Sequence, residues 1–77
     1  MPSAFVLIST DVGTEGEVLA RLKGMEGVKE VHQVYGAYDI ITKLDAESME
    51  GLKGMVEERI RQLGHVRNTI TMMVVHS

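Results

Sequence analysis

The sequence predicts an α+β fold in the order βαββαβ: one antiparallel four-stranded sheet with two helices on one face. Three observations predict it. Four short runs are rich in Val, Ile, Thr and Tyr, as strands are. Two stretches with apolar residues at helical spacing lie between the first and second of these runs and between the third and fourth. The two halves are also weakly alike: Arg21-Leu22-Lys23 with Met25, Val28 and Lys29 lines up with Arg59-Ile60-Arg61 with Leu63, Val66 and Arg67.

Taken in order, Ala4–Ser9 is an apolar, partly β-branched strand that ends in the turn-rich Thr10-Asp11-Val12-Gly13. Thr14-Glu15-Gly16-Glu17 has the spacing of a reciprocal capping box, in which Thr14 and Glu17 would satisfy each other's backbone N–H groups. Val18, Leu19, Leu22 and Met25 then recur at helical spacing until Gly24 and Gly27 break the helix. Val28–Tyr35 and Tyr38–Leu44 read as two strands of a hairpin turning at Gly36-Ala37. Asp45 is placed to cap a second helix, whose apolar face is Met49, Leu52, Val56, Ile60 and Leu63, with Glu57 and Arg61 as an i, i+4 ion pair. Gly64 has the place of a C-terminal cap, and Val66–Val75 supplies the last strand. Two βαβ units in tandem compose a ferredoxin-like fold, and right-handed crossovers put both helices on the same face of the sheet.

Size and composition bound the rest. Seventy-seven residues with 44% apolar content and one proline form a single small domain. Eight Lys and Arg against eleven Asp and Glu give a net charge of −3, without the basic surplus of a direct nucleic-acid binder. The absence of cysteine removes disulfides, thiolate metal sites and thiol nucleophiles. The longest apolar runs, Ala4–Ile8 and Met72–Val75, fall far short of the roughly 20 residues that span a bilayer, so the expectation is a cytoplasmic protein with no membrane partner. His32, His65 and His76 lack close ligand spacing, so neither a metal nor a cofactor is expected.

A core this small rarely supplies more than roughly 3–5 kcal/mol, and with disulfides and metals set aside self-association is the remaining support. The strands point the same way. Ala4, Val6 and Ile8 alternate with Phe5 and Leu7, Ile40 and Leu44 with Ile41, and Ile70, Met72 and Val74 with Met73 and Val75, so both faces of the sheet carry apolar residues. A sheet with helices on one side and water on the other shows polar alternation instead, so the second face is expected to bury itself against another subunit.

Few residues are placed for catalysis, and no catalytic residue is assigned. The histidines lack a serine or cysteine partner and read as surface or structural. Glu15, Glu17 and Glu26 around the first helix, and Glu47, Glu50, Glu57 and Glu58 on the second, read as solvated faces. The methionines suit adaptable core or interface packing. One cluster stands apart: Tyr35-Gly36-Ala37-Tyr38-Asp39 gathers two tyrosines, a glycine and a carboxylate at the hairpin tip. These residues make an ordinary turn, with Gly supplying an unusual φ and Asp bonding to nearby N–H groups. They equally suit an amino acid ligand, since a glycine bares the backbone, loop N–H groups take a carboxylate and Asp39 accepts an ammonium.

The arrangement of Gly27-Val28, Val34-Tyr35-Gly36-Ala37-Tyr38-Asp39-Ile40, Asp45 before a helix, and Val66-Arg67-Asn68-Thr69-Ile70-Thr71 resembles the effector-binding domain of the Lrp/AsnC transcription regulators, also called the RAM domain, for regulation of amino acid metabolism. The resemblance covers essentially the whole chain. Gly36, Tyr38 and Asp39 match the family's Gly-x-Tyr/Phe-Asp hairpin, and Thr69 and Thr71 match the Thr-x-Thr opening of its last strand. It implies dimerisation through the sheets, assembly of dimers into rings, and binding of small effectors, typically amino acids, between dimers near the hairpin. On that reading Gly36 lets the ligand near the backbone, Tyr38 packs on its aliphatic part and Asp39 holds its ammonium. Thr69 and Thr71 bond its carboxylate or pair across the interface. The regulators carry a helix-turn-helix domain ahead of this one, whereas this sequence opens at strand one. The expectation is therefore a stand-alone domain of residues 1–77 that binds an effector and oligomerises, with full-length Lrp/AsnC regulators as candidate partners. Two other functions compete: a dimeric αβ-barrel enzyme such as a cofactor-free monooxygenase, for which His32 is the mid-strand base on offer, and a purely structural assembly module.

Overall fold

The computed structural model describes residues 1–75; His76 lies outside the described residues. The elements are β1 (Ser3–Thr10), α1 (Glu15–Lys23), β2 (Val28–Gln33), β3 (Ile40–Asp45), α2 (Met49–Gly54), a π-helical continuation of α2 (Met55–Ile60), and β4 (Val66–Met73). The strands form one antiparallel sheet in the order β2-β3-β1-β4, with β1 paired to both β3 and β4. This is the expected ferredoxin-like topology.

The core lies between the helices and one face of the sheet. Ala4, Val6 and Ile8 of β1 and Ile40 and Leu44 of β3 are fully buried against Val18 and Leu22 of α1 and against Leu52, Val56 and Ile60 of the second helix. Directly opposed residues of paired strands share a face. Leu7 faces Ile41 and Ile70 across its two neighbours, and Phe5 faces Met72. These five residues therefore make an apolar patch on the side away from the core, where Ile70 and Met72 are exposed. The second apolar face inferred from the sequence is present.

Several local expectations are corrected. The hairpin has no two-residue turn: β2 ends at Gln33 and β3 begins at Ile40, so residues 34–39 form a longer loop closed by Val34 N–H donating to the Asp39 carbonyl (2.9 Å). Thr14 makes no capping box with Glu17; its hydroxyl donates to the Asp11 carbonyl (2.7 Å), and Glu15 Oε1 accepts the Gly13 N–H (2.9 Å). Asp45 is the last residue of β3, and Ser48 caps α2 by accepting the Gly51 N–H (3.0 Å). The left-handed residue before β4 is His65 (φ 74°), not Gly64. A histidine tolerates that conformation here because its carbonyl takes the Asp11 N–H (2.9 Å) and its ring lies between Asp11 Oδ2 (3.3 Å) and Glu17 Oε2 (3.2 Å).

The second helix is regular only in its first half. Arg61 N–H reaches back five residues to the Val56 carbonyl (2.9 Å), the bond of a π-helix. The wider turn lets Met55, Val56 and Ile60 all face the core. It also takes Glu57 and Arg61 off a common line, and the i, i+4 ion pair among the described residues is Glu17–Arg21 (3.9 Å). Met55 then fills the space beneath Gly27, where a Cβ would meet the Met55 Cε at 2.7 Å and the backbone has φ +90°.

Two glycines give opposite expectations. Gly27→Ala forces both a left-handed alanine and a clash with Met55, and is expected to cost about 1–3 kcal/mol in equilibrium denaturation. Gly54→Ala sits in helical backbone with nothing within 4 Å of the added methyl, and is expected to be neutral or to stabilise by up to about 1 kcal/mol.

Candidate functional site

The end of the sheet at which β1 runs out is built around Asp39. Main-chain pairing of β1 with β3 ends at Ile8 and Ile40, and the Asp39 N–H donates to the Ile8 carbonyl (2.9 Å). One step on, the Asp39 side chain replaces a main-chain acceptor: its Oδ2 takes the Thr10 N–H (2.8 Å) and the Thr10 hydroxyl (3.3 Å). Thr10 is buried and Asp39 half-buried. A buried N–H without an acceptor is costly, so this bond fixes both the carboxylate and the hairpin loop that carries it.

An open cleft of about 380 Å³ lies over this junction, lined by Thr10, Val12, Glu15, Gln33, Val34, Tyr35 and Asp39. Tyr35 and Val12 are wholly exposed on the two loops that flank it. Gly36 has φ +156° with open space where a Cβ would stand, so its glycine serves the loop's backbone and keeps the tip bare. The main-chain hydrogen bonds that hold the loop use the N–H of Val34, to the Asp39 carbonyl, and the N–H of Asp39, to the Ile8 carbonyl of β1, and none from Gly36, Ala37 or Tyr38.

Of the five site residues expected from the sequence, Asp39 alone lines this cleft. Gly36 and Tyr38 belong to the loop, with Tyr38 half-buried, but they shape the cleft without lining it. Thr69 and Thr71 lie opposite Ile8 and Val6 and so project on the helix side of β4. There they line a separate cleft of about 270 Å³ with Lys53, Val56, Glu57, Arg61 and Met73. Within one chain the two halves of the expected site do not meet. Thr10, Val12, Glu15, Gln33, Val34 and Tyr35 line the hairpin cleft without having been assigned as binding residues from the sequence, although Val34 and Tyr35 flank the motif that marked the loop.

A larger concavity, about 570 Å³, is at the other end of the sheet among Glu26, Gly27, Asp45, Gly51, Gly54 and Arg59, away from the hairpin motif. Asp45 Oδ1 is buried there without a hydrogen-bond partner. The hairpin is the candidate site in preference to this larger cleft because there a fixed carboxylate, a glycine-bared loop and an exposed aromatic ring converge. His32 stands on the outer face opposite Ile41, with Nε2 3.2 Å from Glu30 Oε1, and lines none of the three clefts. Among the described residues no group of three or more His, Asp or Glu side chains could hold a metal ion, and no helix is long and apolar enough to cross a membrane.

The fold and cleft define a ferredoxin-like α+β domain with a loop-borne carboxylate at one end of its sheet. The chain belongs to the Lrp/AsnC ligand binding domain family, whose model matches residues 3–77. It is 38% identical over 74 residues to an uncharacterised HTH-type transcriptional regulator of Pyrococcus furiosus, an alignment that covers 92% of this chain and 49% of the relative. The chain thus spans about half the length of that regulator. A shorter stretch of 58 residues, 75% of the chain, is 40% identical to 12% of a homocitrate synthase of Saccharolobus islandicus. Among solved structures, that of FFRP-DM1 matches with a TM-score of 0.94 and 37% identity, over 97% of this chain and 100% of that one. The feast or famine regulatory protein of M. tuberculosis complexed with L-methionine matches with a TM-score of 0.84 and 27% identity, over 100% of this chain and 52% of that one.

The Asp39–Thr10 bond makes a stability prediction. Asp39→Ala strands the Thr10 N–H and is expected to cost about 1–3 kcal/mol in urea denaturation. Asp39→Asn keeps an acceptor oxygen and is expected to cost less than Asp39→Ala.

Proposed function

We propose that this chain is an effector-binding and oligomerisation module that takes a free amino acid at the hairpin cleft and serves the regulation of amino acid metabolism, with full-length Lrp/AsnC regulators as partners. The observation that carries the reading is the clamped carboxylate: Asp39 is held through one oxygen by Thr10, over an open cleft beneath a loop whose tip carries no side chain at Gly36. Such a carboxylate is pre-organised for an ammonium group, and the uncommitted N–H groups of the loop suit a carboxylate. The structurally similar feast or famine regulatory protein of M. tuberculosis is complexed with L-methionine, which supports an amino acid as the ligand class.

In this proposal the apolar outer face, with Phe5, Leu7 and Ile41 at its centre, is buried against the sheet of a second copy, which supplies the support that a core of this size lacks. Thr69 and Thr71 reach a ligand only from another copy, since in their own chain they line a different cleft. Exposed Tyr35 and Val12 beside the hairpin cleft offer apolar surface for that contact.

A thermal-shift series against the twenty amino acids, with light scattering for mass, tests this. A ligand at 100 times its Kd stabilises the native state by about 2.7 kcal/mol. In a chain of this size that is a rise on the order of 10 °C. The expected result is such a rise for a subset of amino acids on an assembly of at least two chains, lost in Asp39→Asn. No rise with any amino acid contradicts effector binding and leaves a structural module.

A further inference from the structure

We propose that Glu15 makes the hairpin cleft selective for amino acids that carry a second positive charge on the side chain, of the lysine or arginine kind. This rests on the reading that the hairpin cleft binds an amino acid, and it concerns which one. The cleft is lined by two carboxylates, Asp39 and Glu15, and by no lysine, arginine or histidine. Both are fixed in the same manner. Asp39 Oδ2 takes the Thr10 N–H (2.8 Å) and Glu15 Oε1 takes the Gly13 N–H (2.9 Å), so each is anchored to backbone through one oxygen and has the other for a ligand.

The surrounding charges do not neutralise the pair. The neighbouring carboxylates Asp11 and Glu17 contact the His65 ring, and Arg21 pairs with Glu17, so the nearby basic groups are directed to those two acids and not to Glu15. An amino acid with a neutral side chain brings one ammonium, which satisfies Asp39, and a carboxylate, which adds to the negative charge already there. Glu15 then stays uncompensated beside the ligand. A ligand with a cationic group at both ends, an α-ammonium and a side-chain ammonium or guanidinium, gives each carboxylate a charge-assisted partner. Val12, Val34 and Tyr35 supply apolar wall for the methylene stem between them.

Titration calorimetry on the assembled protein tests this with L-lysine and L-arginine against L-norleucine and L-methionine, which match the stem without the second charge. A hydrogen bond to a charged group is worth enough to give about tenfold or more. The expected Kd for L-lysine is therefore at least about tenfold below that for L-norleucine. The preference is expected to shrink as salt is raised and to collapse towards unity in Glu15→Gln. That variant keeps the Oε1 acceptor for Gly13, and its melting curve checks the fold. Equal affinity of the wild type for lysine and norleucine overturns the selectivity while the amino acid site stands, and so does a lysine preference that survives Glu15→Gln. Binding of no amino acid at all overturns the site and the selectivity together.

Discussion

The bond from the Thr10 N–H to the Asp39 carboxylate joins the parts of this molecule that sequence keeps apart. β1 is an inner strand, paired on one side with β3 and on the other with β4. Where its ladder with β3 runs out, a side chain takes over from the main chain as acceptor, and the next N–H of β1 stays satisfied. The same bond anchors the loop 34–39 against the β1–α1 turn, so the walls of the cleft come from two segments 29 residues apart. A carboxylate held in this way loses little freedom when it meets a ligand, and a fixed partner supports affinity more than a mobile one.

The second constraint is the two-sided sheet. One face closes the core with Val6, Ile8, Ile40 and Leu44, while the other presents Phe5, Leu7, Ile41, Ile70 and Met72. In a chain of 77 residues an apolar face of that kind is a large share of the available hydrophobic free energy. The proposed oligomer follows from this, and it gives the separation of the hairpin from Thr69 and Thr71 a functional sense. In that proposal, residues on different clefts of one chain act on one ligand when two copies meet.

Much of the fold was legible because it depends on periodicity. Alternation along β1 and β3 and helical spacing through Leu52, Val56 and Ile60 announced the elements and their buried sides. What escaped depends on contacts between distant residues. Nothing near Thr10 marks it as the partner of Asp39, and Glu15 looked like one more solvated helix residue because its bond to Gly13 is set by turn geometry. The caps misled for a related reason: Thr14 does stand at the N-cap of α1, but its hydroxyl bonds to the Asp11 carbonyl and not to the helix, Ser48 and not Asp45 caps α2, and the positive φ before β4 falls on His65 and not Gly64. The π-helical turn was hidden since Val56 and Ile60 fit either helix, and what distinguishes them is the bond from the Arg61 N–H to the Val56 carbonyl five residues back. The hairpin motif pointed to the loop beside the candidate cleft, while the identity of the lining residues needed three dimensions.

In the proposed function the ligand sits at the Thr10–Asp39 junction. The most direct measurement is a backbone amide map of the deuterated protein by transverse-relaxation-optimised NMR, titrated with a binding amino acid. The largest shift changes are expected on Thr10, Glu15 and residues 34–39, with those at Gly27, Asp45, Gly51 and Gly54 small. Changes centred on that second group, at the opposite end of the sheet, with the Thr10 amide unmoved, would contradict it.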